Sequence, residues 1–259
     1  MPFVQRPYTT LYYESHGAGA PIVFAHGAGG NTLIWWQQVP FFARTQAVLT
    51  FDHRGFGRSQ CAQGHFHARE FAADLFAILD HAGIERAALV CQSMGGWTGL
   101  RAAITRPERV ACLVLSGTPG GVVTPAVVEA FQRIGRIAAG EGIRATPALA
   151  PDFPAHEPEL THLYDRIAGL NPGLAPEALA TLGEARVEPA ELEGYAVPTL
   201  MVAGERDQLF PPAALKDAAA RIPGCRVVDF AGAGHSPYFE AAPRFNRIVA
   251  DFVAEQGAA

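Results

Sequence analysis

Ser93 stands in the most chemically informative motif of the sequence, CQSMGG (91–96). An apolar stretch over 86–92 leads into the serine, and a helix-compatible stretch follows it. Small residues around the serine would allow a sharp strand-to-helix turn that exposes the hydroxyl and aims helical N–H groups at a developing oxyanion. The pattern predicts a nucleophilic serine, with Cys91 where a glycine is usual. A serine that only caps a helix is the alternative interpretation.

Two further side chains stand where the partners of such a serine are needed. Asp207 follows the strand-like run 197–203, and His235 follows the run 225–230. An acid and then a histidine follow the nucleophile in this order in proteins with such a turn. We expect His235 to take the proton of Ser93 and Asp207 to orient the imidazole. A lone loop histidine is more often a solvated surface group, so the order and the strand-end placement carry this prediction.

A glycine-rich segment, HGAGGN (26–31), directly follows the strand-like run 21–26. Glycines allow the backbone to approach a ligand closely. We therefore expect one N–H group from this segment, that of Ala28, to bind the oxyanion together with the N–H of Met94.

A dinucleotide-binding fingerprint is the competing interpretation of these glycines. Gly27 and Gly29 follow a strand, and Asp52 ends the next strand, as such a fingerprint requires. Thr32 occupies the position of the third glycine. The fingerprint also gives no role to the serine, aspartate and histidine above, so we reject it.

The elements that must position these residues alternate between strands and helices. Apolar runs predict strands over 10–15, 21–26, 46–52, 86–92, 110–116, 197–203 and 225–230. Helical spacing predicts helices over 32–43, 66–82, 94–105, 212–222 and 238–255. The central strand runs are continuously apolar, which is typical of parallel strands covered on both faces. We therefore expect an α/β fold with a mostly parallel, doubly wound, eight-stranded sheet.

The stretch 122–196 interrupts this alternation. It lacks strand patterns, contains helical ones, and carries 11 acidic and 5 basic side chains. An insertion at the carboxyl ends of parallel strands would cover the ligand crevice. We expect 122–196 to form a helical cap, and 1–121 with 197–259 to form the catalytic domain.

Composition excludes several classes of protein. The chain has 259 residues, 49% of them hydrophobic, and a net charge of −5, which indicates a folded globular protein without the basic charge that nucleic-acid binding needs. We expect no membrane span and no signal peptide, and therefore a cytoplasmic location. The four cysteines have no paired spacing, so we expect neither disulfides nor a metal site. The sequence does not predict the oligomeric state.

Taken together, the motifs resemble capped, esterase-like serine hydrolases of the α/β-hydrolase fold. The resemblance is carried by HGAGGN (26–31), DHRGFGRS (52–59), CQSMGG (91–96), GERD (204–207) and GHSPYFE (234–240). It implies that the segment 52–59 is a structural turn beside the active site. The family also includes dehalogenases and epoxide hydrolases, whose nucleophile is an aspartate, and Ser93 argues against both.

We therefore expect a serine hydrolase that cleaves a small-to-medium, apolar carboxylic ester through an acyl-enzyme on Ser93, with a small molecule as its only partner and no cofactor. The alternatives are lactone hydrolysis, C–C bond hydrolysis of a meta-cleavage-type product or cofactor-free perhydrolysis on the same triad, and a ligand receptor with little turnover. Candidate pocket residues, for which helix packing is an equally good explanation, are Trp35, Trp97, Phe131, Ile134, Ile137, Leu163 and Tyr238.

Overall fold

The computed structural model describes residues 2–140, 146–173 and 179–258. Within these ranges one sheet contains nine strands: β1 (Phe3–Arg6), β2 (Thr9–His16), β3 (Ala20–Ala25), β4 (Gln46–Phe51), β5 (Gln60–Cys61), β6 (Ala87–Gln92), β7 (Val110–Ser116), β8 (Thr199–Gly204) and β9 (Arg226–Phe230). The α-helices described are α1 (Val39–Phe42), α2 (Phe71–His81), α3 (Gly95–Thr105), α4 (Pro125–Gly140), α5 (Phe153–His156), α6 (Pro158–Ala168), α7 (Thr181–Glu184), α8 (Pro212–Ala219), α9 (Pro237–Glu240) and α10 (Ala242–Glu255). Short 3₁₀ helices occur at Thr32–Trp35, Ala68–Glu70, Pro107–Arg109, Thr146–Ala148 and Pro189–Leu192.

The predicted mostly parallel sheet is confirmed. Eight strands lie in the order β1-β2-β4-β3-β6-β7-β8-β9, and the two-residue β5 pairs with β2 outside this row. All neighbours from β4 to β9 are parallel, whereas β2 is antiparallel to β1, β4 and β5. The chain passes from β3 to β4 on one side and later returns to β6 on the other side of β3. This reversal is the switch point at which open α/β sheets bind ligands, beyond the carboxyl ends of the strands.

Continuous apolar sequence explains why the central strands lie in the interior. Every residue of β6 (AALVCQ) and of β8 (TLMVAG) is buried, as is all of β7 except Ala111. Strands buried on both faces need no polar alternation. Helix α2 shows the complementary pattern, because its buried residues Phe71, Leu75, Ile78 and Leu79 recur at helical spacing.

One strand is missing from the prediction, and two predicted helices are wrong in detail. The sequence gives no sign of β1, because Val4 is its one buried residue and there is no apolar run. The predicted helix over 32–43 is instead the 3₁₀ helix Thr32–Trp35 followed by α1. The predicted helix over 238–255 is interrupted at Ala241, where φ is −143°.

Helices α4 to α7 follow β7 and precede β8 in the chain. Val122 and Val187 form an isolated parallel bridge near the two ends of this insertion, and the Val187 N–H donates to the Gly121 carbonyl at 2.8 Å. We refer to 122–196 as the insertion; its role as a separate cap domain stays a prediction. None of the described helices combines the length and the apolar character needed to cross a bilayer.

Candidate active site

Ser93 occupies a backbone conformation that side chains rarely adopt. Its φ is +48°, and it lies between the last residue of β6 and the first turn of α3. The Ser93 N–H donates to the Ser116 carbonyl at 3.0 Å, and the Ser93 carbonyl accepts from the Gly96 N–H at 2.8 Å. A non-glycine residue in the left-handed region costs about 1–3 kcal/mol, and such strain persists where the surrounding structure enforces it. The turn leaves Ser93 partly exposed although both of its neighbours are buried.

The small residues around the serine are required by close packing. A Cβ on Gly95 would contact the carbonyl of Ala25 and would lie 3.0 Å from the carbonyl oxygen of His26. The sulfur of Cys91 lies against Gly99, which has no side chain to displace it. A glycine one turn into α3 therefore provides room for the cysteine at the position where the motif usually has glycine. Burial raises the pKa of the Cys91 thiol, so it stays protonated and serves as a packing group.

Asp207 and His235 form a buried hydrogen-bonded pair beyond the ends of β8 and β9. The distance between His235 Nδ1 and Asp207 Oδ2 is 2.8 Å, and the side chains are 3% and 0% exposed. The other carboxylate oxygen, Asp207 Oδ1, accepts the backbone N–H groups of Leu209 and Phe210 at 2.8 and 2.9 Å. Because both carboxylate oxygens have partners, the imidazole is held with Nδ1 protonated and Nε2 available as a base.

The residues next to Ser93 bring its turn together with the loop 231–236 that carries His235, here called the histidine loop. Gln92 Nε2 donates to the His235 carbonyl at 3.4 Å. The Gly117 N–H, just beyond the Ser116 carbonyl that Ser93 binds, donates to the Val202 carbonyl at 3.0 Å. A Cβ on Gly117 would lie 2.8 Å from the His235 carbonyl oxygen. The three predicted catalytic side chains therefore share one edge of the sheet.

The segment 26–31 forms a tight turn against the serine. The Gly30 N–H donates to the Gly27 carbonyl at 3.0 Å, and Gly29 has a φ of +84°, as a type II turn requires at its third position. A Cβ on Gly27 would lie 2.8 Å from the Ser93 Cβ. Ala28, the predicted oxyanion donor, is partly exposed at the tip of the turn. Met94 is the N-cap residue of α3, where N–H groups lack helical acceptors.

His26 fixes the base of this turn from the interior. It is fully buried, His26 Nε2 accepts the His53 N–H at 3.0 Å, and His26 Nδ1 donates to the Gly27 carbonyl at 2.8 Å. Burial lowers the pKa of His26 to about 4, so the ring is neutral at physiological pH. Asp52 supports the same region by accepting the N–H groups of Thr32 and Arg58 at 2.6 and 2.8 Å.

Glu240 is a site-forming residue to which sequence reasoning assigned no role. Its carboxylate accepts the N–H groups of Gly234 at 2.9 Å and Ser236 at 3.1 Å, which flank His235, and the N–H of Ala150 in the insertion at 2.8 Å. Burial raises the pKa of Glu240, and these three N–H groups act in the opposite direction. Its position in the motif GHSPYFE (234–240) could have indicated a role near His235, but its contact with the insertion could not be predicted from the sequence.

A row of aromatic rings leads from the insertion to the histidine. The ring of Phe131 on α4 lies 5.9 Å from Trp97 and 5.4 Å from Phe210, and Phe210 lies 6.0 Å from the ring of His235. Phe210 was not among the predicted pocket residues. Ile134 and Leu163 are partly buried against the same core. The side chain of Ile137 lies outside the described residues.

The other two aromatic pocket candidates lie in the core. Trp35 is 0% exposed and Tyr238 is 2% exposed, and their rings lie 4.6 Å apart. Trp35 also packs on Phe24 at 5.1 Å. Both side chains therefore contribute to packing beneath the histidine loop, and a role in contacting substrate stays a prediction.

Comparison with known proteins identifies the family. Residues 20–242 match the family model described as alpha/beta hydrolase fold. The chain is 32% identical to 2-hydroxymuconate semialdehyde hydrolase of Pseudomonas sp. (strain CF600), over 94% of this chain and 90% of that protein. It is 30% identical to 3-oxoadipate enol-lactonase 2 of Acinetobacter baylyi, over 76% of each chain. Among solved structures, Est816, described as an N-acyl homoserine lactone degrading enzyme, superposes with a TM-score of 0.81 at 27% identity, covering 97% of this chain and 100% of that one.

The chain belongs to the α/β-hydrolase fold family. These three relatives are named as a hydrolase, a lactonase and a lactone-degrading enzyme, and the chain is accordingly an enzyme of the hydrolase class. The family match also covers all five sequence motifs on which the resemblance depended.

Proposed function

We propose that this enzyme hydrolyses a small-to-medium, apolar carboxylic ester through an acyl-enzyme on Ser93. In the first half-reaction His235 Nε2 takes the Ser93 proton as the hydroxyl attacks the carbonyl carbon. The N–H groups of Ala28 and Met94 stabilise the oxyanion, and the imidazolium then protonates the leaving alkoxide. In the second half-reaction His235 activates a water that releases the acid and restores Ser93. Asp207 keeps the imidazole in the required tautomer throughout.

One observation carries this proposal: the partly exposed serine has a φ of +48° at the end of β6, on the sheet edge that also carries a buried histidine–aspartate pair. Strained, exposed nucleophiles beside an oriented base are found where acyl transfer occurs. A serine that merely caps α3 would need neither the strained backbone nor the pair. The mechanism requires no metal or organic cofactor.

The preference for apolar substrates is supported by the surroundings of His235. The rings of Phe131, Trp97 and Phe210 make the surroundings of the base apolar, and Phe131 is partly exposed whereas the other two are each 4% exposed. The insertion carries 11 acidic and 5 basic side chains, which disfavours the approach of anionic substrates, although salt screens this effect. We also propose a cytoplasmic location, which the four unpaired cysteines support.

Hydrolysis of a lactone or of a C–C bond is the second candidate. The similarity to an enol-lactonase and to a semialdehyde hydrolase, at 30% and 32% identity, favours it. The same serine, histidine and oxyanion donors would serve both reactions, because each proceeds through a tetrahedral centre at a carbonyl carbon. The difference lies in the substrate.

A substrate panel with an active-site label tests the proposal. Purified enzyme is assayed on p-nitrophenyl esters of increasing acyl length, on lactones and on vinylogous diketones, and Ser93 is labelled with a fluorophosphonate. We expect turnover of short esters, labelling at Ser93, and a loss of about 10³–10⁶-fold in Ser93→Ala. An unlabelled Ser93 would refute the nucleophile. Labelling with activity on lactones or diketones alone would favour the second candidate, and labelling without turnover of any class would indicate a receptor.

A further inference from the structure

Asn171, three residues beyond the end of α6 in the insertion, binds the loop that is proposed to hold the oxyanion. Its amide Nδ2 donates to the Gly29 carbonyl at 2.8 Å and to the Ala168 carbonyl at 3.1 Å. Its Oδ1 accepts the Gly57 N–H at 2.8 Å. One half-buried side chain thus joins the end of α6, in the insertion, to two loops outside it.

Two peptide units connect this contact to the Ala28 N–H. The Gly29 carbonyl, which Asn171 binds, belongs to the same planar unit as the Gly30 N–H. That N–H donates to the Gly27 carbonyl at 3.0 Å. The Gly27 carbonyl in turn belongs to the planar unit that carries the Ala28 N–H, and the two groups point in opposite directions across it. Fixing the Gly29 carbonyl therefore constrains the direction in which the Ala28 N–H points, together with His26 Nδ1, which donates to the same Gly27 carbonyl at 2.8 Å.

Neighbouring contacts hold α6 in the same place as the Asn171 contacts do. The last carbonyls of a helix lack partners within the helix. Asn31, which is 4% exposed, donates from Nδ2 to the Ile167 carbonyl at 3.0 Å and caps the following 3₁₀ helix through Oδ1. On the other side of the site, Tyr164 of α6 lies 3.2 Å from Ser236, next to His235. One helix of the insertion therefore contacts both the oxyanion loop and the histidine loop.

We propose that Asn171 is a positioning residue for the oxyanion hole, so that docking of α6 on the sheet domain sets the orientation of the Ala28 N–H. This inference rests on the proposed function, because it assumes that Ala28 binds the oxyanion. Asn171 acts through two peptide units and contacts no reacting atom. The competing explanation is that Asn171 only attaches the insertion, which would affect stability and leave chemistry unchanged.

The test compares Asn171→Ala and Asn171→Asp with Arg69→Ala as the matched control. Asn171→Asp keeps an acceptor for the Gly57 N–H but loses the donor to the Gly29 carbonyl. Arg69→Ala also removes a contact between the sheet domain and the insertion, at 3.1 Å to the Glu184 carbonyl, and this contact involves neither the segment 26–31 nor Gly57. The readouts are kcat and KM on p-nitrophenyl butyrate, Ki for phenylboronic acid, whose tetrahedral adduct occupies the oxyanion hole, and Tm.

We expect both Asn171 variants to lower kcat about 10- to 100-fold and to raise the Ki for phenylboronic acid by a similar factor. KM should change by less than about threefold. Arg69→Ala should change Tm only. Unchanged kcat and Ki in both Asn171 variants, or losses that Arg69→Ala reproduces, would overturn the proposal. If the wild type proves inactive on esters, the proposed function fails, but the positioning role of Asn171 can still be tested by labelling Ser93 with a fluorophosphonate. Slower labelling in Asn171→Ala than in the wild type would support the positioning role, and an unchanged rate would contradict it.

Discussion

His235 Nδ1 lies 2.8 Å from Asp207 Oδ2, and the second oxygen of Asp207 is bound by two backbone N–H groups. This arrangement leaves the carboxylate one orientation and the imidazole one tautomer. A buried acid that is fully hydrogen-bonded before substrate arrives needs no reorganisation when the imidazolium forms. The pair is therefore prepared for the charge that the reaction creates.

Asp207→Asn should lower kcat on an ester substrate about 10³–10⁴-fold without unfolding the protein. Asparagine retains the shape of the side chain, but the loss of charge no longer favours the Nδ1–H tautomer or the imidazolium. Steady-state kinetics and Tm measure the two effects. Glu205→Gln is the control, because Glu205 binds the Gly232 N–H at the surface, 2.9 Å away. Comparable losses in both variants would contradict the assignment.

Glu240→Gln should lower kcat about 10-fold and the free energy of unfolding by about 1–3 kcal/mol. The carboxylate accepts three backbone N–H groups with two oxygens, and a glutamine NH₂ group in place of one oxygen would face N–H donors that it cannot bind. Urea unfolding and kinetics on one ester provide the measurements.

Glu255→Gln is the control for that variant, because Glu255 forms an exposed ion pair with Arg226 at 2.6 Å. Exposed ion pairs contribute about 0–1 kcal/mol to stability, so Glu255→Gln should change kcat and the free energy of unfolding very little. If Glu240→Gln were as mild as the control, Glu240 would not organise the histidine loop.

The catalytic side chains could be predicted from sequence because each stands at the end of a strand. Parallel strands bring their carboxyl ends to one edge, so Ser93, Asp207 and His235 converge without any long-range contact having to be guessed. Glu240 and Asn171 could not be found in this way. The contact of Glu240 with Ala150 spans 90 residues and that of Asn171 with Gly29 spans 142, and both exist only once the insertion has docked. The local contacts of Glu240 with Gly234 and Ser236 follow no strand end that would have pointed to them.

Gly27→Ala should lower ester turnover about 10²-fold while leaving most of the fold intact. The added methyl group would lie 2.8 Å from the Ser93 Cβ, so the turn that carries the Ala28 N–H must move away from the serine. A displacement of about 1 Å at a reacting centre can cost on the order of 10²-fold in rate. Gly83→Ala is the control. Gly83 has a φ of +69°, and no neighbouring atom lies within 4 Å of the place that an added methyl group would take, so this variant should lower Tm and leave kcat unchanged.

The buried histidine beneath the oxyanion turn predicts acid sensitivity of the fold. His26 has a pKa of about 4 in the folded protein because burial disfavours its charged form, whereas an unfolded histidine titrates near pH 6.5. Between these two values the unfolded chain binds the additional proton, so the free energy of unfolding falls as the pH is lowered from 6.5 to 4. The contribution of His26 is fully present above pH 6.5 and amounts to about 3 kcal/mol.

His26→Gln isolates this contribution from the titration of the carboxylates. At pH 7 the variant should be less stable than the wild type, since glutamine cannot reproduce both ring hydrogen bonds, to the Gly27 carbonyl and from the His53 N–H. At pH 4 the wild type must bury a proton or unfold, and the variant avoids that cost. The stability difference between the two proteins, measured by urea unfolding at several pH values, should therefore shrink by about 3 kcal/mol on acidification. A difference that stayed constant from pH 7 to pH 4 would mean that His26 is not held neutral in the folded protein.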